Sequence, residues 1–391
     1  MGKRVFLIVM DSFGIGAAAD AKKYNDEGSN TLKAVYKSKY FDAPNLIRLG
    51  LFNIEGVDFG QKADTPTGCF ARMQELSAAK DTTYGHWEIA GIISKKPMPT
   101  YPSGFSDEII KKLESVTGRK CLCNKPYSGI QVILDYGEEH IKSGNLIVYT
   151  SADSVMQIAA HESVISLPEL YEICQKAREI MQGEDGVGRI IARPFVGRFP
   201  NFVRTQNRRD FSLPPPKDTI LDLLDKKGYD TIAVGKISDI FSGRGIDESI
   251  HTSNNFDGMQ QTIKYQDKRF EGICFVNLVD FDSIYGHRNN VDGYAAAVSE
   301  FDTQLGEFID NMQKNDILII TADHGCDPSH SSTDHTREYT PMLIVGDSVK
   351  SNVDLKTREG FCDIGSSVCE IFGIENTLDG KSFWSQVKKD D

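Results

Sequence analysis

Residues 279–287, Val-Asp-Phe-Asp-Ser-Ile-Tyr-Gly-His, place carboxylates and an imidazole directly after an apolar run at 273–278. A second apolar run, 317–320, leads into Thr321-Ala322-Asp323-His324-Gly325, and a run at 5–10 leads straight into Asp11. His335 lies in the segment Thr333-Asp334-His335-Thr336-Arg337. Carboxylate oxygen and imidazole nitrogen are ligands for divalent ions. Asp11, Asp282, His287, Asp323, His324 and His335 exceed the needs of one ion. Two ions a few ångströms apart, sharing a bridging ligand, would use them all. Such pairs clamp the attacking and leaving oxygens of an in-line phosphoryl displacement. Any one of these aspartates alone reads as a turn former; the joint pattern points to metal.

A phosphoryl-transfer site needs a group at the bridge. Residues 80–88, Lys-Asp-Thr-Thr-Tyr-Gly-His-Trp-Glu, offer hydroxyls on Thr82, Thr83 and Tyr84. A hydroxyl held against cations loses its proton more readily. Spacing does not choose among the three. A helix is expected to start near His86, with His86 and Trp87 as packing groups if the segment is purely structural. Gly14-Ile15-Gly16-Ala17-Ala18-Ala19 fits the dinucleotide pattern Gly-x-Gly-x-x-Ala. Asp11 and Ser12 stand between strand and glycines, however, whereas the dinucleotide turn is tight. No dinucleotide is expected.

The elements that must position these residues are legible as periodicity. Apolar runs at 5–10, 146–149, 231–234, 273–278, 317–320 and 342–345 predict strands buried on both faces, as in a parallel sheet. The ligands would then sit at its carboxyl edge, where open α/β sheets bind their ligands. Tyr294, Ala295, Val298, Phe301, Leu305, Phe308, Ile309 and Met312 follow one helix face. Ser106 should cap a helix ending at Gly118, and another is expected over 219–227, before Gly228.

Two proline clusters, at 97–102 and 214–216, read as connectors. A chain of 391 residues exceeds a single ordinary core. The expected organisation is a discontinuous metal-binding domain, 1–95 with 217–391, interrupted by an inserted cap at 96–216. Residues 388–391 are expected to fray.

A net charge of -12 without a basic stripe argues against a nucleic-acid surface. Eight scattered cysteines, with Cys121-x-Cys123 as the one close pair, suggest reduced thiols rather than disulfides or zinc. The six-residue apolar run at 5–10 is a strand and not a signal segment, and no run approaches the ~20 residues of a membrane span. A cytoplasmic protein is expected.

Asp11-Ser12-Phe13-Gly14-Ile15-Gly16, Lys80-Asp81-Thr82, Gly85-His86-Trp87-Glu88, Thr150-Ser151-Ala152-Asp153-Ser154-Val155, and residues 279–287, 322–327 and 334–341 together resemble the prokaryotic phosphopentomutase family, within the alkaline phosphatase superfamily. The metal-ligand order alone would indicate only the superfamily; residues 151–162 and 189–209 tie the chain to this member. The resemblance spans nearly the whole chain. It implies an α/β fold: an alkaline-phosphatase-like core with a largely parallel central sheet flanked by helices, plus an inserted α/β cap. It implies an isomerase that interconverts the 1- and 5-phosphates of ribose and deoxyribose, using two manganese ions. Asp11, Asp323 and His324 would bind one ion; Asp282, His287 and His335 the other. Thr82 would bridge them and carry the phosphoryl group, charged by a sugar bisphosphate of the glucose 1,6-bisphosphate type. Ser151, Asp153, Val155, Arg189, Ile191 and Arg204 would hold the sugar phosphate, joined by Lys236 from the core. The implied partners are small-molecule sugar phosphates, with no nucleic acid or membrane, and the implied state is a monomer. Many members have a second threonine where this chain has Tyr84. A metal-dependent phosphomonoester hydrolase and a phosphoglycerate-mutase-like enzyme share the ligand pattern; a non-catalytic binding module would not need Thr82.

Overall fold

The structure, a computed structural model, describes residues 2–151 and 153–390. Ala152, inside one of the motifs quoted above, lies outside the described residues. The chain divides into two compact units, Met1–Lys96 with Pro215–Asp391, and Pro97–Pro214. Both divisions fall at the proline-bearing stretches.

The first unit is built on an eight-stranded sheet. Its strands run in the order Glu248–Ile250, Asp230–Val234, Gly272–Leu278, Arg4–Met10, Asp316–Thr321, Thr340–Gly346, Cys69–Gln74 and Asp354–Glu359. Arg4–Met10 and Gly272–Leu278 are buried along their whole length, as continuous apolar runs in a parallel sheet must be. Thr340–Gly346 departs from the expected direction: it is antiparallel to both neighbours. A short apolar run carries no directional information, so burial was readable at 342–345 and polarity was not. Cys69–Gln74 and Asp354–Glu359 escaped the apolar-run criterion because polar residues interrupt them.

Register explains why the ligands converge. Met10 lies opposite Leu278, and Val9 lies opposite Thr321. The residues that follow these strands therefore emerge together at one edge. The strand starts are fixed by a buried ion pair, Arg4 Nε to Asp316 Oδ1 at 2.7 Å. Helix Val291–Asp310 packs Tyr294, Val298, Phe301, Leu305 and Phe308 onto the sheet, with Phe308 edge-on to Phe6 at 5.0 Å. Its N-terminus is capped by the Asn290 side chain, which accepts from the Gly293 N–H. Thr219 and Asp222 form the reciprocal capping pair of helix Ile220–Asp225.

The second unit carries the mixed sheet Cys121–Pro126, Leu146–Thr150, Val155–His161, Arg189–Arg198 and Asn201–Arg204, with Arg209–Ser212 paired to Arg189–Arg198. The strand at 146–150 thus belongs to this second sheet, parallel to one neighbour and antiparallel to the other. Side chains alternate between two apolar clusters. Leu146, Val148, Ile158 and Ile190 meet helices Asp107–Thr117 and Leu167–Ile180. Ile147, Tyr149, Ala159 and Phe195 meet helix Gln131–Ser143. Ser106 caps its helix and Gly118 ends it at φ +66°, as their positions in the sequence predict.

Fraying was expected at 388–391, but Lys388 and Lys389 are held in place, and Asp391 lies outside the described residues. Lys388 bridges Val349, and the Lys389 N–H donates to the Ser348 carbonyl at 2.9 Å. No described helix is long and apolar enough to cross a membrane.

Candidate metal centre

Asp11 leaves the first strand with its carboxylate buried, Oδ2 accepting from Asn277 Nδ2 at 2.8 Å. Asp323 and His324 leave the strand beside it. The Ser12 N–H, on a residue at φ +69°, donates to Asp323 Oδ1 at 3.0 Å. His324 Nε2 lies 3.4 Å from both Asp11 Oδ1 and Asp323 Oδ2. Ligand atoms of Asp11, Asp323 and His324 lie within 4.8 Å of one another, as do those of Asp282, His324 and His335.

Asp282 sits in a wide helical turn over Phe281–Tyr285, followed by a tight turn over Gly286–Arg288. That wrap returns His287 to the carboxylate, Nε2 to Oδ2 at 3.2 Å, and His335 Nε2 faces the other oxygen at 3.3 Å. The His335 ring is 3.9 Å from His324 and 4.6 Å from His287. All six expected ligands therefore gather at one edge.

Three backbone carbonyls orient the imidazoles. Nδ1 of His287 meets Thr333 O at 2.6 Å, Nδ1 of His335 meets Lys80 O at 2.9 Å, and Nδ1 of His324 meets Gly325 O at 3.0 Å. A proton held on Nδ1 leaves the Nε2 lone pair directed inward, the tautomer a metal ligand needs.

Thr82 opens helix Thr82–Ile89, with Oγ1 3.2 Å from His324 Nε2. The helix starts here rather than near His86, because the Asp81 carboxylate accepts from the Thr83 and Tyr84 N–H groups and caps it. Gly85 permits the approach: a Cβ there would lie 2.2 Å from Asp323 O. Thr82, not Thr83 or Tyr84, is the hydroxyl that meets the ligand cluster in the observed contacts.

Two contributors were missed from sequence. His86, given no role in the site and read as packing only if the segment were purely structural, is fully buried, with Nδ1 2.9 Å from Thr82 O and 3.0 Å from Asp323 Oδ2. Asn277, hidden inside an apolar strand, holds Asp11. The polar residue interrupting that run was the available signal. Cys326 Sγ also lies within 4.8 Å of ligand atoms of Asp282 and His287. Burial, then the Asp282 charge, pushes its thiol up, and it donates toward Asp334 O at 3.7 Å.

The electrostatics call for positive charge. Burial and the neighbouring Asp323 raise Asp11. Burial would also raise Asp282, but hydrogen bonds from His287 and His335 hold it low. Asp323 behaves alike: burial opposes ionisation, while the imidazoles of His324 and His86 hold it low. Burial would lower His324, yet Asp323 and Asp11 raise it well above its ordinary value. Asp11 Oδ1, Asp282 Oδ1 and Asp323 Oδ2 are buried, and imidazole nitrogens stand 3.4 Å, 3.3 Å and 3.0 Å from them, so they depend on those rings or on a cation for positive charge. Such atoms are costly unless something electropositive meets them. The donor set fits divalent cations.

The expected sugar-phosphate residues of the second unit share one sheet face. Val155, Arg189 and Ile191 stand on the side of Tyr149, and Arg204 Nη2 donates to Tyr149 OH at 3.3 Å. Ser151 and Asp153 lie between strands, the Asp153 N–H donating to Ser151 Oγ at 3.3 Å. Lys236 is exposed in the first unit, where it precedes helix Ile237–Ile240.

The glycine loop after the first strand wraps a carboxylate instead of opening a helix. Glu338 accepts from Gly16 N–H at 3.0 Å, Thr31 N–H at 3.0 Å, Thr31 Oγ1 at 2.9 Å and Thr336 Oγ1 at 2.7 Å. A Cβ on Gly14 would lie 2.3 Å from Glu338 Oε2. Burial outweighs these bonds and raises the Glu338 carboxyl to about 7. The folded state thus keeps a proton that the unfolded chain, near its ordinary value of 4.5, has released. Stability should fall as pH rises between these two values, by up to about 3 kcal/mol. Comparing unfolding free energies of the wild type and Glu338→Gln across pH 4–8 should show this slope in the wild type only. Equal slopes would refute it.

The metalloenzyme superfamily model matches residues 3–376. A protein of Pyrococcus horikoshii of known structure has the same fold at a TM-score of 0.50 and 14% identity, over 97% of this chain and 99% of that one. The fold is alkaline-phosphatase-like, with a largely parallel core sheet, and a metal cofactor goes with this class and with the ligand clusters. The curated phosphopentomutase of Lachnoclostridium phytofermentans is 58% identical over 388 residues, covering 99% of this chain and 100% of its own. That of Acetivibrio thermocellus is 53% identical over 386 residues, covering 98% and 100%. The chain belongs to the phosphopentomutase family, isomerases that act as intramolecular phosphotransferases.

Proposed function

We propose that this protein interconverts the 1- and 5-phosphates of ribose and deoxyribose through a phosphothreonine at Thr82 and a sugar bisphosphate intermediate. The observation that carries the mechanism is the contact of Thr82 Oγ1 with His324 Nε2 at 3.2 Å, the same nitrogen that lies 3.4 Å from the carboxylates of Asp11 and Asp323. Asp11, Asp323 and His324 would hold one ion and Asp282, His287 and His335 the other, with Thr82 between. Oxygen and nitrogen ligands suit manganese, though zinc binds such sets more tightly in the general affinity order. Two bound ions would favour the alkoxide form of Thr82 and neutralise phosphoryl oxygens.

The Thr82 Oγ–P bond breaks as a sugar hydroxyl takes the phosphoryl group, and the hydroxyl proton passes to the freed Thr82 oxygen, forming the bisphosphate. After the sugar reorients, Thr82 Oγ1 bonds to the other phosphorus, the bond from that phosphorus to the sugar oxygen breaks, the sugar oxygen takes the threonine proton, and the monophosphate isomer leaves. A sugar bisphosphate of the glucose 1,6-bisphosphate type would charge Thr82 at the outset. Arg189 and Arg204 suit the distal phosphate because a planar guanidinium binds it bidentately. Ser151, Asp153, Val155, Ile191 and Lys236 would complete the sugar-phosphate contacts, making the second unit the cap. The enzyme would act in the cytoplasm as a monomer; eight free cysteines suit a reducing compartment.

Incubation with ribose 1-phosphate, manganese and glucose 1,6-bisphosphate, followed by phosphorus NMR, tests this reading. Ribose 5-phosphate should accumulate with little inorganic phosphate. Inorganic phosphate as the main product would instead identify a phosphomonoester hydrolase.

A further inference from the structure

We propose that Tyr84 is a positioning residue for phosphoryl transfer, tying the helix that bears Thr82 to the connector that begins at Lys96. The inference rests on Thr82 as the phosphoryl carrier. The Tyr84 hydroxyl donates to the Lys96 carbonyl at 3.0 Å. Its backbone N–H donates to Asp81 Oδ1 at 3.2 Å, and that same oxygen accepts from the Thr83 N–H at 3.0 Å. The residue is therefore held at both ends, by the cap beside the nucleophile and by the chain leaving the first unit. Lys96 is that unit's last residue before Pro97.

The ring is 3% exposed and lies 6.0 Å from the ring of Trp87. Trp87 Nε1 in turn donates to the Ile240 carbonyl at 3.2 Å. Ile240 ends the short helix that follows Lys236, one of the proposed sugar-phosphate contacts. Side chains two and five residues after Thr82 thus anchor its helix to the connector and to the Lys236 helix. A threonine at this position would be too short to reach a carbonyl met by the far end of a tyrosine ring, so the link depends on the tyrosine.

Transfer demands placement of the nucleophile to a fraction of an ångström, and connectors that govern closure often control turnover. With the hydroxyl in place, displacement of the connector is felt at the start of the nucleophile helix. Without it, this route between them is lost.

Tyr84→Phe removes the oxygen alone, and Tyr84→Thr shortens the side chain. In both, kcat should fall about tenfold while KM for ribose 1-phosphate moves less than about twofold. The share of phosphoryl groups lost as inorganic phosphate should rise. In Tyr84→Phe the thermal midpoint and manganese content should stay near wild-type values, and the comparison of activity with midpoint is made on that variant, because Tyr84→Thr also empties a buried aromatic site and should lower the midpoint. Amides of residues 82–89 should exchange hydrogen faster in Tyr84→Phe, with or without manganese. Unchanged kcat and unchanged exchange would overturn the tie. So would an activity loss that simply tracks a lower midpoint or lower metal content. A wild type that made no ribose 5-phosphate would defeat the functional reading, whereas the exchange measurement judges the tie by itself.

Discussion

Thr82→Ala should abolish phosphoryl transfer, lowering turnover by about 10⁴-fold or more, because no other group can form the covalent intermediate. The fold should survive. Alanine is a strong helix former, and the cap is supplied by Asp81, which the change leaves alone. Metal should still bind, since the carboxylates and imidazoles keep their partners in Asn277, Ser12 and the three backbone carbonyls. Intact-protein mass after exposure to glucose 1,6-bisphosphate gives the direct comparison. The wild type should gain one phosphoryl group and the variant none. An alanine variant with normal turnover would eliminate the phosphothreonine route.

Stripping divalent ions with a chelator should remove activity and lower thermal stability together, and manganese should restore both. Ions present at about a thousandfold over their dissociation constant would contribute about 4 kcal/mol to the folded state. Without them, the buried carboxylates of Asp11, Asp282 and Asp323 rely on neighbouring imidazoles for positive charge. Calorimetry before and after chelation, with metal content checked in parallel, measures the change. A metal-free protein that unfolds at the same temperature would show that the cluster binds nothing of consequence.

The ligands were readable because a buried parallel strand is an unbroken apolar run, so a carboxylate that ends it stands out. Asp11 and Asp323 are such residues, and register delivers them to one place. Thr82 was not separable from Thr83 and Tyr84 by spacing; the helix start set by Asp81 separates them. What orients the imidazoles was illegible, since Lys80, Thr333 and Gly325 act through backbone carbonyls and any residue supplies one. His86 was given no role in the site because a buried ring resembles any other until its nitrogen is located. Much of the second sheet was also hidden. Val155–His161 and Arg189–Arg198 mix apolar residues with Gln157, His161, Arg189 and Arg193, so they fail as apolar runs.

Strand Arg4–Met10 is synthesised well before its partners, since both its neighbours lie beyond residue 270. It must wait, unpaired, for most of the chain to be made, whereas the second unit's ladders all close between residues 121 and 212. Segments with local pairing close early, and distant pairing waits on the entropy of a long loop. Biosynthesis therefore runs against the order of function: the inserted piece can mature while its host is still incomplete, and the ion-binding edge has all its ligands only once His335 has been made.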